Sequence, residues 1–234
     1  MHKYLAFDLE TAKIIPDGAG DFKSHRPLGI TCAGVVAEDG DPVIWHGKTA
    51  SGATADQMAR SEALDVVRNL QGAVERGQTL VTWNGVGFDF DILAEESGMI
   101  AECRQLAVDH VDMMFHVFCL QGYPLGLDKA AKGMGLVGKP PGMSGALAPP
   151  MWAAGQRQEV LRYLEEDVRT TLALAKAAEE QRALRWVSQR GKPMELRLPH
   201  GWLTVRQATA LPSPDISWMS NPWPRSKFTG WLDD

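Results

Sequence analysis

Residues 4 to 11 read YLAFDLET, an almost unbroken apolar run that closes with two carboxylates, Asp8 and Glu10, two positions apart. Side chains at i and i+2 of a strand project to the same face, so a strand buried at its start presents both acids to one place at its end. Two like charges held side by side are unfavourable unless something positive sits between them. A strand that frays into a solvated acidic turn fits the same eight residues, and the rest of the chain has to separate the two readings.

The apolar patterning that follows predicts an α/β fold with a mixed sheet. Strands over 3–8, 29–38 and 42–47 form an antiparallel meander, a helix over 54–76 carries Met58, Leu64, Val67, Leu70 and Val74 at near-helical spacing, and a short buried strand spans 79–84. Helices are then expected over 88–98, 106–121, 126–134 and 156–185, with a Gly- and Pro-rich loop at 135–155. Residues 186–205 read as a hairpin and 211–234 as a Pro- and Trp-rich tail, which divides the chain into a main domain, 1–184, and a C-terminal appendage, 185–234.

Bulk properties narrow the function. At 234 residues and 44% hydrophobic content the chain can bury a large core. No apolar run has the length of a membrane span and the first residues lack the apolar centre of a signal peptide, so the expectation is a soluble, cytoplasmic protein. Cys32, Cys103 and Cys119 are scattered and odd in number, which argues for reduced core residues rather than disulfides or a zinc site. The formal net charge of -5 excludes a broad basic footprint for duplex nucleic acid, so any nucleic-acid contact should be local.

Two further acidic sites follow the first. In TWNGVGFDFDIL (82–93), Asn84 ends a strand, Gly85 and Gly87 permit a tight turn, and Asp89 falls at a helix start, where a plain cap explains it equally well. In LRYLEEDVRTT (161–171), Tyr163 and Asp167 are i and i+4 on a helix, beside the stripe of Val160, Leu164, Thr171 and Leu174. A carboxylate so near an apolar stripe needs a partner, whereas Glu165 and Glu166 read as solvated surface.

Taken in order, FDLET, NGVGFDFDIL and YLEED resemble the three motifs of the DnaQ-like, or DEDD-type, 3′–5′ exonucleases of the ribonuclease H-like superfamily. The segment GLDKAAKGMGLVGKPPGMSG, followed by an acidic helix, is similar to the predicted exonucleases related to family B DNA polymerases, and the resemblance covers about residues 3–180. It implies a ribonuclease H-like mixed sheet flanked by helices, with Asp8, Glu10, Asp89 and Asp167 as metal ligands for two divalent ions, Mg2+ or Mn2+. It also implies the tyrosine subclass, because the histidine position of the sister subclass is Arg162 here while Tyr163 fits. Asp91 stands where close relatives often have proline and competes with Asp89; Asp89 follows Phe88 in the family register and is preferred. Leu9, Thr11, Asn84 and Phe88 are the implied substrate contacts, and the 3′ end of a single-stranded DNA or RNA is the implied partner.

The chemistry supplies an independent reason for the set: in-line phosphodiester hydrolysis is served by two ions roughly 3.5–4 Å apart, and magnesium requires hard oxygen ligands. A catalytically silent binding module and a metal-dependent endonuclease on the same fold are the rival functions. His110 and His116, expected on one apolar helix with Asp109 and Asp112, read as packing residues, and Lys132 and Lys139 as flanks of a solvated loop. In the tail, Trp218, Trp223, Phe228 and Trp231 stand among Arg225 and Lys227. Such rings suit base stacking, but packing on the main domain or on a second copy of the chain is the expectation.

Overall fold

The computed structural model describes residues 2–16, 18, 20–138 and 144–233. Its main sheet has the order β3-β2-β1-β4-β5, built from β1 (Tyr4–Thr11), β2 (Ile30–Ala37), β3 (Val43–His46), β4 (Thr79–Thr82) and β5 (Val111–Asp112). The first three strands are antiparallel neighbours, and β4 and β5 join parallel to β1. The expected mixed sheet is therefore present, flanked by helices on both faces.

Strand β1 lies in the middle and its period of two sorts the core. Leu5, Phe7 and Leu9 enter one apolar cluster with α1 (Arg60–Glu75), α2 (Asp89–Ser97) and α3 (Ile100–Asp109). Tyr4 and Ala6 enter the other, against α7 (Arg157–Gln181). Asp8 and Glu10 continue the even series, so the sheet presents them on the α7 side. Gly34, opposite Asp8 in β2, sets how closely that helix can approach: a Cβ there would lie 2.7 Å from Ile44 Cδ1 and 3.2 Å from Leu164 Cγ.

The helix expected over 106–121 is two helices with a strand between them. Helix α3 ends at Asp109, β5 follows, and α4 (Met113–Gln121) starts behind Asp112, whose side chain accepts from Phe115 N at 2.9 Å and so caps it. His110 and His116 thus lie on different elements. Both are buried: His110 Nε2 lies 2.9 Å from Thr82 Oγ1, and Leu203 N donates to His116 Nδ1. The buried face of α1 is Ala63, Val66, Val67, Leu70 and Ala73, a regular three-and-four spacing, while Met58 precedes the helix and Val74 is exposed. The Gly/Pro segment holds the short α6 (Ala148–Ala153), with prolines in its first turn, after α5 (Leu127–Gly133); Lys139 lies outside the described residues.

The C-terminal hairpin pairs β6 (Ala183–Val187) with β7 (Pro193–Arg197), earlier in the chain than its sequence range suggests because α7 stops at Gln181 and Arg182 turns with φ 51°. Two short helices follow, α8 (Val205–Thr209) and α9 (Ser226–Thr229). Phe228 and Trp231 belong to the larger core cluster, and Arg225 donates to the carbonyls of Thr209, Leu211, Pro212 and Cys119. Three of the six tail side chains singled out in the sequence therefore pack, as expected for large rings and a multidentate cation. The three cysteines are free and buried. Among the described residues no helix is long and apolar enough to cross a membrane.

Candidate active site

The carboxylates converge at the end of β1. One oxygen from each of Asp8, Glu10 and Asp167 lies within 4.8 Å of the others. Strand alternation delivers the first two, and a register shift between Glu10 and Thr11 adjusts the second; Thr31 Oγ1 donates to the Glu10 carbonyl across that irregularity at 3.0 Å. Helix α7 delivers Asp167 together with Tyr163 one turn earlier, both buried. Asp89, at the first position of α2, accepts from Leu9 N at 3.0 Å and faces Asp8 from the sheet's other flank.

The electrostatics of this group are unfavourable in the protein alone. Burial, the charge of Asp8 and a hydrogen bond shared with it hold Asp89 well above the usual carboxylate range, against the pull of the Leu9 amide. Burial also raises the Tyr163 phenol, with the negative charges of Asp167, Glu10 and Asp8 adding to it. Tyr163 is accordingly a neutral hydrogen-bonding group at any physiological pH. A cluster of hard oxygen donors carrying this strain fits a divalent cation, which would offset the repulsion.

A cleft of about 850 Å³ opens over the cluster. Asp8, Leu9, Glu10, Thr11, Asn84, Phe88, Tyr163 and Asp167 line it, while Asp89 sits behind the wall, 2% exposed. Asp91, the competitor for the second motif, points elsewhere: Lys23 and Arg26 clamp it at 2.9 and 2.5 Å. Two positions apart on a helix is about 200°, so Asp89 turns to Asp8 and Asp91 to Lys23 and Arg26.

The turn that sets Asn84 and Phe88 rests on a residue with no role assigned from the sequence. Asn84 has φ 75°, a left-handed conformation tolerated by asparagine but uncommon outside glycine. Asp112 holds it: Oδ1 accepts from Asn84 N at 3.0 Å and Oδ2 from Val86 N at 2.9 Å. Gly85 N donates to Thr82 Oγ1, and Trp231 Nε1 from the tail donates to the Val86 carbonyl at 2.7 Å. The available signal was an aspartate directly ahead of an apolar helical run, the pattern of an N-cap. Trp83, Lys132 and, from the tail, Trp223 and Phe228 also line the cleft.

A protein-family model described as the RNase_H superfamily matches residues 7–179. The chain belongs to the RNase H superfamily. Among solved structures it is similar to the family B DNA polymerase from the hyperthermophilic archaeon Pyrobaculum calidifontis, 20% identical with a TM-score of 0.54, over 76% of this chain and 24% of the polymerase. Escherichia coli exonuclease I in complex with a dT13 oligonucleotide is 14% identical with a TM-score of 0.42, over 76% of this chain and 41% of that one. The chain thus spans less than half the length of either protein. No curated protein matches it.

Proposed function

We propose that the chain is a DEDD-type 3′–5′ exonuclease of the tyrosine subclass that hydrolyses single-stranded DNA or RNA with two divalent ions, Mg2+ or Mn2+. Residues 1–184 carry the catalytic groups in this reading and 185–234 complete the walls around them. The observation that supports it most is the meeting of Asp8, Glu10 and Asp167 within 4.8 Å, with Tyr163 on the same face of α7 as Asp167.

Asp8, Glu10 and Asp167 would hold the ions, with Asp89 supporting from behind Asp8. When bound, the ions neutralise the cluster and polarise water and phosphate for in-line displacement. The remaining tasks fall to this chain's own groups. The protonated phenol of Tyr163 orients the attacking water by hydrogen bonding rather than removing its proton. A P–O bond to that water forms as the P–O3′ bond breaks, the water's proton passes to bulk solvent, and the departing 3′ oxygen takes a proton from solvent water. Phe88 offers a ring and Leu9 an apolar edge for the terminal base, and Thr11 a hydroxyl beside Glu10. Asn84 lines the cleft beside Phe88 and is placed next to the terminal sugar.

The test uses matched 3′-labelled and 5′-labelled strands, with and without Mg2+ or Mn2+. Mononucleotides should appear from the 3′ end only with metal, a 3′-phosphate should slow release, and Asp167→Asn should lower the rate by about 1,000-fold or more, the scale of several kcal/mol of lost transition-state stabilisation. Rapid cutting of a circular single strand assigns an endonuclease instead. Binding without any hydrolysis assigns a silent module.

A further inference from the structure

The tail's exposed rings are placed differently from its buried ones. Trp218 is 66% exposed and Trp223 41%, yet neither is loose. Trp218 Nε1 donates to the Asp215 carbonyl at 3.1 Å and its ring meets Tyr123 edge-on at 6.2 Å. Lys227 Nζ lies 3.5 Å from the centre of the Trp223 ring. A ring held by local contacts yet two-thirds exposed, as Trp218 is, and a second that carries a cation over its face, as Trp223 does, form a prepared surface rather than a packing anchor.

These rings border clefts that adjoin the carboxylate cleft. A second cleft, of about 840 Å³, is bordered by Tyr123, Lys129, Trp186, Arg190 and Trp218, and it shares Pro124, Leu125 and Gly126 with the first. A smaller one, about 340 Å³, lies between Trp218 and Trp223, also beside Pro124. The three clefts therefore adjoin: Trp223 lines the carboxylate cleft and the small one, Trp218 the small one and the second, and Lys129 and Arg190 border the second. Asp215 borders the second cleft and accepts from the amide of Ser217 at 3.0 Å, and Asp128 borders the first beside Gly126, where Lys132 Nζ lies 2.7 Å from it.

We propose that these adjoining clefts are a track for the single strand leading into the active site, with bases stacked on Trp223 and Trp218 and phosphates met by Lys227, Lys129 and Arg190. The proposal rests on the exonuclease reading for its occupant. Every base has a stackable face, so a stacking track tolerates any sequence, and local cations resolve how a chain of net charge -5 holds a polyanion. The track is built largely from residues beyond 179, outside the part of the chain that the superfamily model matches.

Binding of fluorescein-labelled dT4 and dT12 to the full chain, followed by anisotropy in EDTA, separates this from hydrolysis. The wild type should bind dT12 more tightly than dT4. Trp218→Ala should remove roughly five- to 100-fold of the dT12 affinity with an unchanged melting temperature, since the ring is mostly exposed. Lys129→Ala with Arg190→Ala should reduce the slope of log affinity against log salt by about 1.4, near 0.7 per phosphate contact. Wild-type affinity for dT12 in both variants overturns the track, as does failure of the wild type to bind dT12 at all. A changed oligomeric state in Trp218→Ala with dT12 affinity intact assigns the rings to a second copy of the chain and overturns it too. If dT12 binds through Trp218 but no strand is hydrolysed with metal, the exonuclease reading fails and the track stands; hydrolysis with Trp218-independent affinity does the reverse.

Discussion

Asp89 and Asp112 flank the same turn, and both are almost wholly buried, at 2% and 1% exposure. Their surroundings are opposite. Asp112 accepts from Asn84, Val86 and Phe115, so although burial lifts it, these amides hold it to about 6. Asp89 has one amide, from Leu9, and looks at Asp8, which leaves it well above the usual range. A carboxylate surrounded by amides has its charge satisfied by the protein itself and serves to fix a backbone. One pressed against another carboxylate is satisfied only by a proton or a cation, and such sites are where function concentrates. The contrast separates an acid that the fold itself satisfies from one that it leaves to a proton or a cation, in a way that burial alone cannot.

The sharpest way to break that contrast is to remove each carboxylate and read stability. Asp112→Ala leaves three amides near the turn without an acceptor and should cost about 3–5 kcal/mol in urea unfolding. Asp112→Asn keeps one acceptor oxygen and should fall between. Asp89→Asn should change sign: its carbonyl oxygen still accepts from Leu9, its amide can donate to Asp8, and the like-charge repulsion is gone, for a gain of about 1 kcal/mol or none. A loss above about 2 kcal/mol in Asp89→Asn would make it a structural acid like Asp112.

Metal sharpens the same comparison with a somewhat smaller effect. A ligand that binds only the native state at 100 times its Kd stabilises by about 3 kcal/mol. Saturating Mg2+ or Mn2+ should therefore raise the melting temperature of the wild type and of Lys129→Ala, but not of Asp8→Asn. An equal shift in Asp8→Asn would place the ion elsewhere.

What could be read from the sequence follows the same division. Asp8, Glu10, Tyr163 and Asp167 were legible because each lies in a long element with a clear period, where spacing alone fixes the shared face. Asp89 was legible as a helix start. Asp112 was not, because β5 is only two residues long and is flanked by helices, so a window of helical length runs straight through it. The tail resisted for another reason. Phe228 and Trp231 pack while Trp218 and Trp223 stay open, and composition cannot distinguish a ring that finds a core from one that does not. Asp91 also needed the fold, since the cations that hold it, Lys23 and Arg26, come from more than 60 residues away.

The last expected effect concerns another support of the turn. His110 Nδ1 meets the Ala107 carbonyl at 2.7 Å and must donate to it, so Nε2 is the acceptor for the Thr82 hydroxyl at 2.9 Å, which in turn accepts from Gly85 N. Every group in this chain is used once with the ring neutral. Protonation would turn Nε2 into a donor and leave the Thr82 hydroxyl proton without its acceptor. Burial accordingly lowers His110 from 6.5 to about 4. The unfolded chain then binds a proton that the folded chain does not between about pH 6.5 and 4, so stability is present above that window and is lost as pH falls through it. Asp112 acts in the opposite sense, because its raised pKa favours the folded state as pH falls from about 6. His116, also lowered to about 4 by burial, acts with His110. The slope must be read as a difference between proteins: His110→Gln starts less stable at pH 7 but should lose about 1–3 kcal/mol less than the wild type on going to pH 4.5. Parallel stability curves for the two proteins would mean that His110 carries no charge-linked cost.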